Sequence, residues 1–315
     1  MEELGKLTAS SWQRTLSSSI RCTGVGLHTG DKVTMELHPA AADTGILFRR
    51  IDIANANRDV PARYDCVGST NLCTTLVNDD GVSVATVEHL MAALAGCEVD
   101  NVVVTLNGPE VPIMDGSAEP FVFLIECAGT IEQDEPRRAI QVLHPVTVRD
   151  GDSVATLEPA DGFSIDFGID FESAAIGRQN FLLDLSPDAF KTDISRARTF
   201  GFLHEVEALR NAGLGRGGSL ENVVVVDGDE VMNVDGLRFD NEFVRHKVLD
   251  CVGDMYLAGG PLFGRFSGVR AGHALHHKLL HALFKEEAAW TTISMDRRVP
   301  VTASDWQPEA LAATA

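Results

Sequence analysis

A histidine and an aspartate four positions apart open the chemistry of this chain. In Phe243-Val244-Arg245-His246-Lys247-Val248-Leu249-Asp250-Cys251-Val252-Gly253-Asp254, a helical backbone puts His246 and Asp250 on one face, about 5–6 Å apart. Asp254 continues that face one turn on. An imidazole and a carboxylate so placed suit one shared ion such as Zn2+ or Fe2+, although a solvated helical ion pair explains the segment equally well. Thr86-Val87-Glu88-His89 opens an apolar helical run. Neighbours on a helix diverge by about 100°, so Glu88 and His89 serve different partners: one could ligate while the other holds a water. In Ser267-Gly268-Val269-Arg270-Ala271-Gly272-His273, the glycines allow backbone and ligand to approach closely. His276, His277 and His281 follow and are read as surface residues.

Three protein ligands and an open corner make a catalytic metal site, whereas four would close it. Glu88, His89, His246, Asp250 and His273 supply two ligand imidazoles, one ligand carboxylate, a general base and a further acid. That set suffices for metal-assisted amide hydrolysis. The six cysteines, Cys22, Cys66, Cys73, Cys97, Cys127 and Cys251, are scattered without a Cys-x-x-Cys pair, so they read as reduced and mostly core-filling.

The elements that must carry these residues alternate between strand and helix patterns. Val33-Thr34-Met35-Glu36-Leu37-His38 has the two-residue period of a strand, and Ile46-Leu47-Phe48 follows an Asp43-Thr44-Gly45 turn. A helix is expected from Val87 to Ala95, with Gly96 as its C-terminal stop. A strand follows over residues 100–106, and a second helix over 117–128. The charged, proline-broken stretch Glu132-Gln133-Asp134-Glu135-Pro136-Arg137-Arg138 reads as a linker. Beyond it come strands over 140–148, 153–157 and 163–171, then helices over 201–212 and 241–258. Residues 304–315 read as loosely held. Strands followed by helices, twice over, predict two α+β domains joined near residue 135.

Composition narrows the function. The chain has 315 residues, of which 44% are hydrophobic, and a formal net charge of −20. Such a field repels nucleic acid and anionic lipid surfaces, so a site for a phosphorylated substrate must be locally basic. No apolar run approaches the roughly 18–20 residues of a membrane helix, and the first residues lack an apolar signal core. A cytoplasmic location is expected.

Taken in order, several blocks resemble the UDP-3-O-acyl-N-acetylglucosamine deacetylase family. They are Thr23-Gly24-Val25-Gly26-Leu27-His28-Thr29-Gly30, Val87-Glu88-His89-Leu90, Pro112-Ile113-Met114-Asp115-Gly116-Ser117, Ala197-Arg198-Thr199-Phe200-Gly201-Phe202, Gly236-Leu237-Arg238-Phe239, the His246 segment and Ala271-Gly272-His273. The resemblance runs from about residue 14 to about 295. It implies two similar domains, each a β-sheet layered on two α-helices, in a β-α-α-β sandwich with the active site between them. The domains would span 12–131 and 138–302, with inserts near 50–75 and 203–225. It implies zinc, with Fe2+ as the other candidate, held by His89, His246 and Asp250, and Glu88 as general base. Thr199 would stabilise the oxyanion, and Asp254 would hold a protonated His273. Lys247 would face the substrate diphosphate, with Arg245 and Arg270 as weaker candidates. Phe200, Leu203, Val206 and Leu220 would line an acyl groove; without the resemblance they read as ordinary core.

The implied reaction is removal of the N-acetyl group from a UDP-linked, 3-O-acylated N-acetylglucosamine in lipid A biosynthesis. An amidohydrolase acting on another nucleotide sugar is the alternative within the same chemistry. A nucleotide-sugar or acyl-chain binding protein without catalysis is the alternative outside it. The chain departs from the family at His276 and His277, where asparagines are frequent, and at the glycine-rich Gly213-Leu214-Gly215-Arg216-Gly217-Gly218. The small, apolar tail Pro308-Glu309-Ala310-Leu311-Ala312-Ala313-Thr314-Ala315 is expected to serve as a protease handle.

Overall fold

The computed structural model describes residues 10–54, 57–295 and 300–301. The expected protease handle lies outside them. Two sheets enclose a double layer of helices, and the fold class is α+β, as expected. The first sheet has five strands in the spatial order Ile20–Val25, Lys32–Pro39, Val102–Leu106, Ile46–Arg50 and Asp59–Pro61. All neighbours are antiparallel except Val102–Leu106 and Ile46–Arg50, which run parallel. Its inward face is dictated by alternation: Val33, Met35 and Leu37 are buried, while the residues between them are not.

The second sheet centres on the long strand Leu262–Val269. It pairs antiparallel with Ser153–Glu158 and parallel with both Phe163–Asp170 and Arg138–Val142. Phe167 and Phe266 stack inside it. The strand expected over 140–148 is instead two, Arg138–Val142 and Val146–Asp150. They are separated by Leu143, His144 and Pro145, and the proline cannot donate to a ladder.

Helices α1 (Glu88–Gly96) and α2 (Glu119–Ala128) belong to the first half. The three-residue α3 (Pro187–Ala189) and the exposed α4 (Leu203–Asn211) lie in the second, with α5 (Glu242–Tyr256) and α6 (His273–Lys285). Helix α1 is built of strong helix formers and is buried on nearly every side, as is α5. These two cross at the centre, backbone close to backbone: a Cβ built on Gly253 would lie 2.0 Å from the Glu88 carbonyl oxygen. Gly96 is likewise a packing glycine and not the expected stop. It sits inside the last turn, where a Cβ would lie 2.1 Å from the Phe190 ring; the left-handed residue after the helix is Glu98, with φ 55°.

The expected linker is also not a loose connection. Thr130–Pro136 forms an antiparallel pair with Trp12–Leu16. Arg137, directly after it, is buried between Glu98 and Asp100, with its Nε donating to Asp100 Oδ1 at 2.7 Å. One charge of this stretch, Arg137, completes a buried ion-pair network, while Glu132, Asp134, Glu135 and Arg138 stay exposed. No helix among the described residues is long and apolar enough to cross a membrane.

Candidate metal centre and active site

Helix α5 carries His246, Asp250 and Asp254 on one face, and α1 brings Glu88 and His89 against it. His246 Nδ1 donates to the Ala197 carbonyl at 3.0 Å. That bond fixes the tautomer and leaves the Nε2 lone pair pointing inward. Burial pulls the His246 imidazole down to about 4, so it is neutral at physiological pH. His246 Nε2 lies 3.3 Å from Asp250 Oδ1, and His89 Nε2 lies 3.6 Å from the same oxygen. The two rings stand nearly perpendicular, with centroids 4.9 Å apart.

Asp250 Oδ1 is buried and has no hydrogen-bond partner. A buried carboxylate oxygen without a donor is costly, and here two imidazole nitrogens face it. Zinc held at about 2.0–2.1 Å by tetrahedral ligands sets them about 3.3 Å apart. The donor set and its spacings therefore fit a divalent ion with N2O ligation. Asp250 Oδ2 accepts from Lys247 Nζ at 2.7 Å. Burial works against charge on Asp250, but His246, Lys247 and the His89 contact outweigh it and hold the carboxyl well below the usual range.

A second group, Asp254, His273 and His276, also brings its donor atoms within 4.8 Å of one another. Here Nδ1 of His273 and Nδ1 of His276 approach Asp254 Oδ2 at 2.7 and 2.8 Å. Those are hydrogen-bond lengths, shorter than two ligands on one ion allow. The first group is arranged for a cation and the second for protons.

Glu88, in the first turn of α1, is buried. Its Oε2 accepts from the Thr74 amide at 3.0 Å, and its Oε1 lies 3.9 Å from His273 Nε2. Burial raises its carboxyl above the usual range, against the pull of His273 and His89. His273 begins α6. Burial works against its charge, but Asp254, then Glu88 and Asp250, push it up to about 9. Its Nε2 lies 3.9 Å from Asp250 Oδ2, so Glu88, His273 and the ligand cluster share one volume.

Thr199 is held by its backbone, donating to the Gly116 carbonyl and accepting from Val224. Its hydroxyl has no hydrogen-bond partner among the described residues. Its neighbour Arg198 is locked to the buried Glu242 at the start of α5, with Nε to Oε1 at 2.8 Å. Arg238 reaches back from the same corner to Asp115. The blocks singled out in the sequence are thus wired to one another. Phe200 packs edge-on against Phe243 and the His246 ring. Leu203 and Leu220 are 39% and 46% exposed, so neither is core, and Val206 is half-buried. Arg245 lies over the Phe181 and Phe239 rings, and Arg270 pairs with Asp170 outside the cluster.

Two expectations for this region are corrected. His276 and His277 are buried, not on the surface, and both face Asp254. His281 alone of the three is exposed. The signal was present: positions 273, 276 and 277 share one helical face. Thr74 was missed altogether. It is fully buried, its hydroxyl donates to Asp254 Oδ1 at 2.6 Å, and its amide binds Glu88. Its partners are distant in sequence, so no local pattern marks it.

A family model described as UDP-3-O-acyl N-acetylglycosamine deacetylase matches residues 13–285. Among curated proteins, the chain is 48% identical over 303 residues to a UDP-3-O-acyl-N-acetylglucosamine deacetylase of Shewanella frigidimarina (strain NCIMB 400), covering 96% of this chain and 99% of that one. Proteins of the same description from Teredinibacter turnerae (strain ATCC 39867 / T7901) and Xanthomonas oryzae pv. oryzae (strain PXO99A) are 52% and 51% identical over 286 residues. Both alignments cover 90% of this chain, with 94% and 93% of the respective relative.

Proposed function

This chain belongs to the UDP-3-O-acyl N-acetylglycosamine deacetylase family, and from that premise we propose that it hydrolyses the acetamide of a UDP-linked, 3-O-acylated N-acetylglucosamine. Water adds across the C–N bond, acetate leaves, and the sugar keeps a free amine, as a committed step of lipid A biosynthesis. The same proposal includes Zn2+, with Fe2+ as the alternative, held by His89, His246 and Asp250. The single observation that carries it is the buried, donor-free Asp250 Oδ1 facing two imidazole nitrogens. When bound, such an ion polarises the acetamide carbonyl and makes water a better nucleophile at neutral pH.

The chain's own residues account for the proton movements. Glu88 is the general base: Thr74 holds one carboxylate oxygen and the other is free to take a proton from the attacking water. Its burial strengthens it as a base. His273, tied to Asp254 by Nδ1, presents Nε2–H to the developing charge and returns a proton to the leaving amine. The unpartnered Thr199 hydroxyl serves the oxyanion. Lys247 offers positive charge for the diphosphate at the edge of the Asp250 contact. Phe200, Leu203, Val206 and Leu220 form the acyl groove, a reading supported by the exposure of the two leucines. The two-domain division at 12–131 and 138–302, with inserts near 50–75 and 203–225, belongs to the same proposal. So do a cytoplasmic location and the protease handle at residues 308–315.

Acetate release from the acylated UDP-sugar, measured with and without a chelator, tests the reaction. Activity should vanish on chelation and return with one equivalent of Zn2+. Release that ignores the chelator would remove the metal assignment. Equal rates on UDP-N-acetylglucosamine lacking the acyl chain would remove the substrate assignment.

A further inference from the structure

Asp254 is fully buried, and its carboxylate faces four potential donors. Oδ1 accepts from Thr74 Oγ1 at 2.6 Å and lies 3.3 Å from His277 Nε2, which itself hydrogen-bonds Thr74 Oγ1 at 3.1 Å. Oδ2 is shared by His273 Nδ1 at 2.7 Å and His276 Nδ1 at 2.8 Å. Of the three imidazoles, His273 has its other nitrogen within 3.9 Å of Glu88 and Asp250. The other nitrogens of His276 and His277 are buried without any partner. In each ring the partnered nitrogen is the one turned toward Asp254 and Thr74. Phe167 and Phe266 meet the His276 ring nearly perpendicular, with centroids 5.9 and 5.5 Å away.

A carboxylate with one partner can turn about its last torsion; one gripped on both oxygens has a single orientation. We propose that His276 and His277 are positioning residues. Together with Thr74 they hold Asp254 in one rotamer, and through it they aim His273 Nε2 into the reaction volume. The role rests on the deacetylase reading above, but the geometry it claims exists without metal or substrate.

Asparagine Nδ2 stands as many bonds from Cα as imidazole Nδ1, and glutamine Nε2 as many as imidazole Nε2. His276→Asn therefore keeps the donor to Asp254, while His276→Phe keeps the ring plane and loses the donor. With the metal-loaded full chain, we expect His276→Phe to lower kcat about 10–100-fold, the range of losses for groups that orient a metal-site residue. KM should stay within about twofold and metal content unchanged. His276→Asn should remain within about threefold of the parent in kcat, as the donor survives. His277→Gln against His277→Leu repeats the comparison, and decides it if the phenylalanine variant does not fold.

A second readout needs no turnover. In imidazole 15N spectra of the metal-free protein, the hydrogen-bonded His273 Nδ1–H signal should persist in His276→Asn and move toward solvent values in His276→Phe. Asparagine falling as far as phenylalanine, or an unmoved His273 signal in both, would overturn the proposal. Absence of acetate release by the parent would instead remove the deacetylase reading, and the spectra would still decide the positioning claim.

Discussion

Helix α5 carries two aspartates one turn apart, each ringed by imidazoles, and they have opposite fates. Around Asp250 the nitrogens stand 3.3 and 3.6 Å from an oxygen that no proton reaches. Around Asp254 they close to 2.7 and 2.8 Å and donate. Residue type does not separate the two. For His246 the tautomer does: Ala197 takes its Nδ1 proton and turns a lone pair toward Asp250, whereas Asp254 itself takes the Nδ1 protons of His273 and His276. His246 is thus distinguished from the histidines around Asp254 by where its second ring nitrogen finds its partner.

The sharpest way to break this comparison is to empty each ring in turn. His246→Ala should lose stoichiometric metal and with it nearly all turnover. Glu88→Ala should keep the metal and lose about two to four orders of magnitude in kcat, the usual range for a general base. Asp254→Ala should also keep the metal, losing about 10–100-fold. Metal analysis beside initial rates reads all three, and a metal-depleted Asp254→Ala would show that the two rings are one site.

A smaller effect sharpens the electrostatic half. In the metal-free protein His273 should remain protonated until the pH nears about 9, since Asp254, Glu88 and Asp250 outweigh its burial. A folded-state value above the ordinary 6.5 gives stability that is fully present below pH 6.5 and lost as the pH rises through about 9. Thermal melts of the metal-free His273→Gln variant should lack that alkaline decline. A parent melting temperature flat across the same interval would contradict the assignment.

The smallest expected effect concerns the scaffold beneath both rings. Gly253→Ala places a methyl where the Glu88 carbonyl sits. Overpacking of this kind costs about 1–3 kcal/mol, readable as a shift of the denaturation midpoint.

Much of the ring around Asp250 is legible in the sequence, because His246 and Asp250 are helical neighbours and Glu88-His89 opens an unmistakable apolar helix. The ring around Asp254 is less so. His276 looks like a surface histidine until the strand carrying Phe266 walls it in, and Thr74 reaches Asp254 across more than half the chain. Residues 132–138 read as a linker because their charges resemble solvated chain; only the assembled fold reveals that Glu98 and Asp100 are waiting for Arg137. Local period and spacing are carried by the sequence, but long-range satisfaction of buried charge is carried by topology.

The contact between Gly253 and the Glu88 carbonyl has one more consequence. It leaves no slack between the helix bearing Glu88 and His89 and the helix bearing His246 and Asp250, so their separation is set once, when the chain folds. A ligand entering between them meets a gauge already adjusted, and its binding energy need not be spent on bringing the two together.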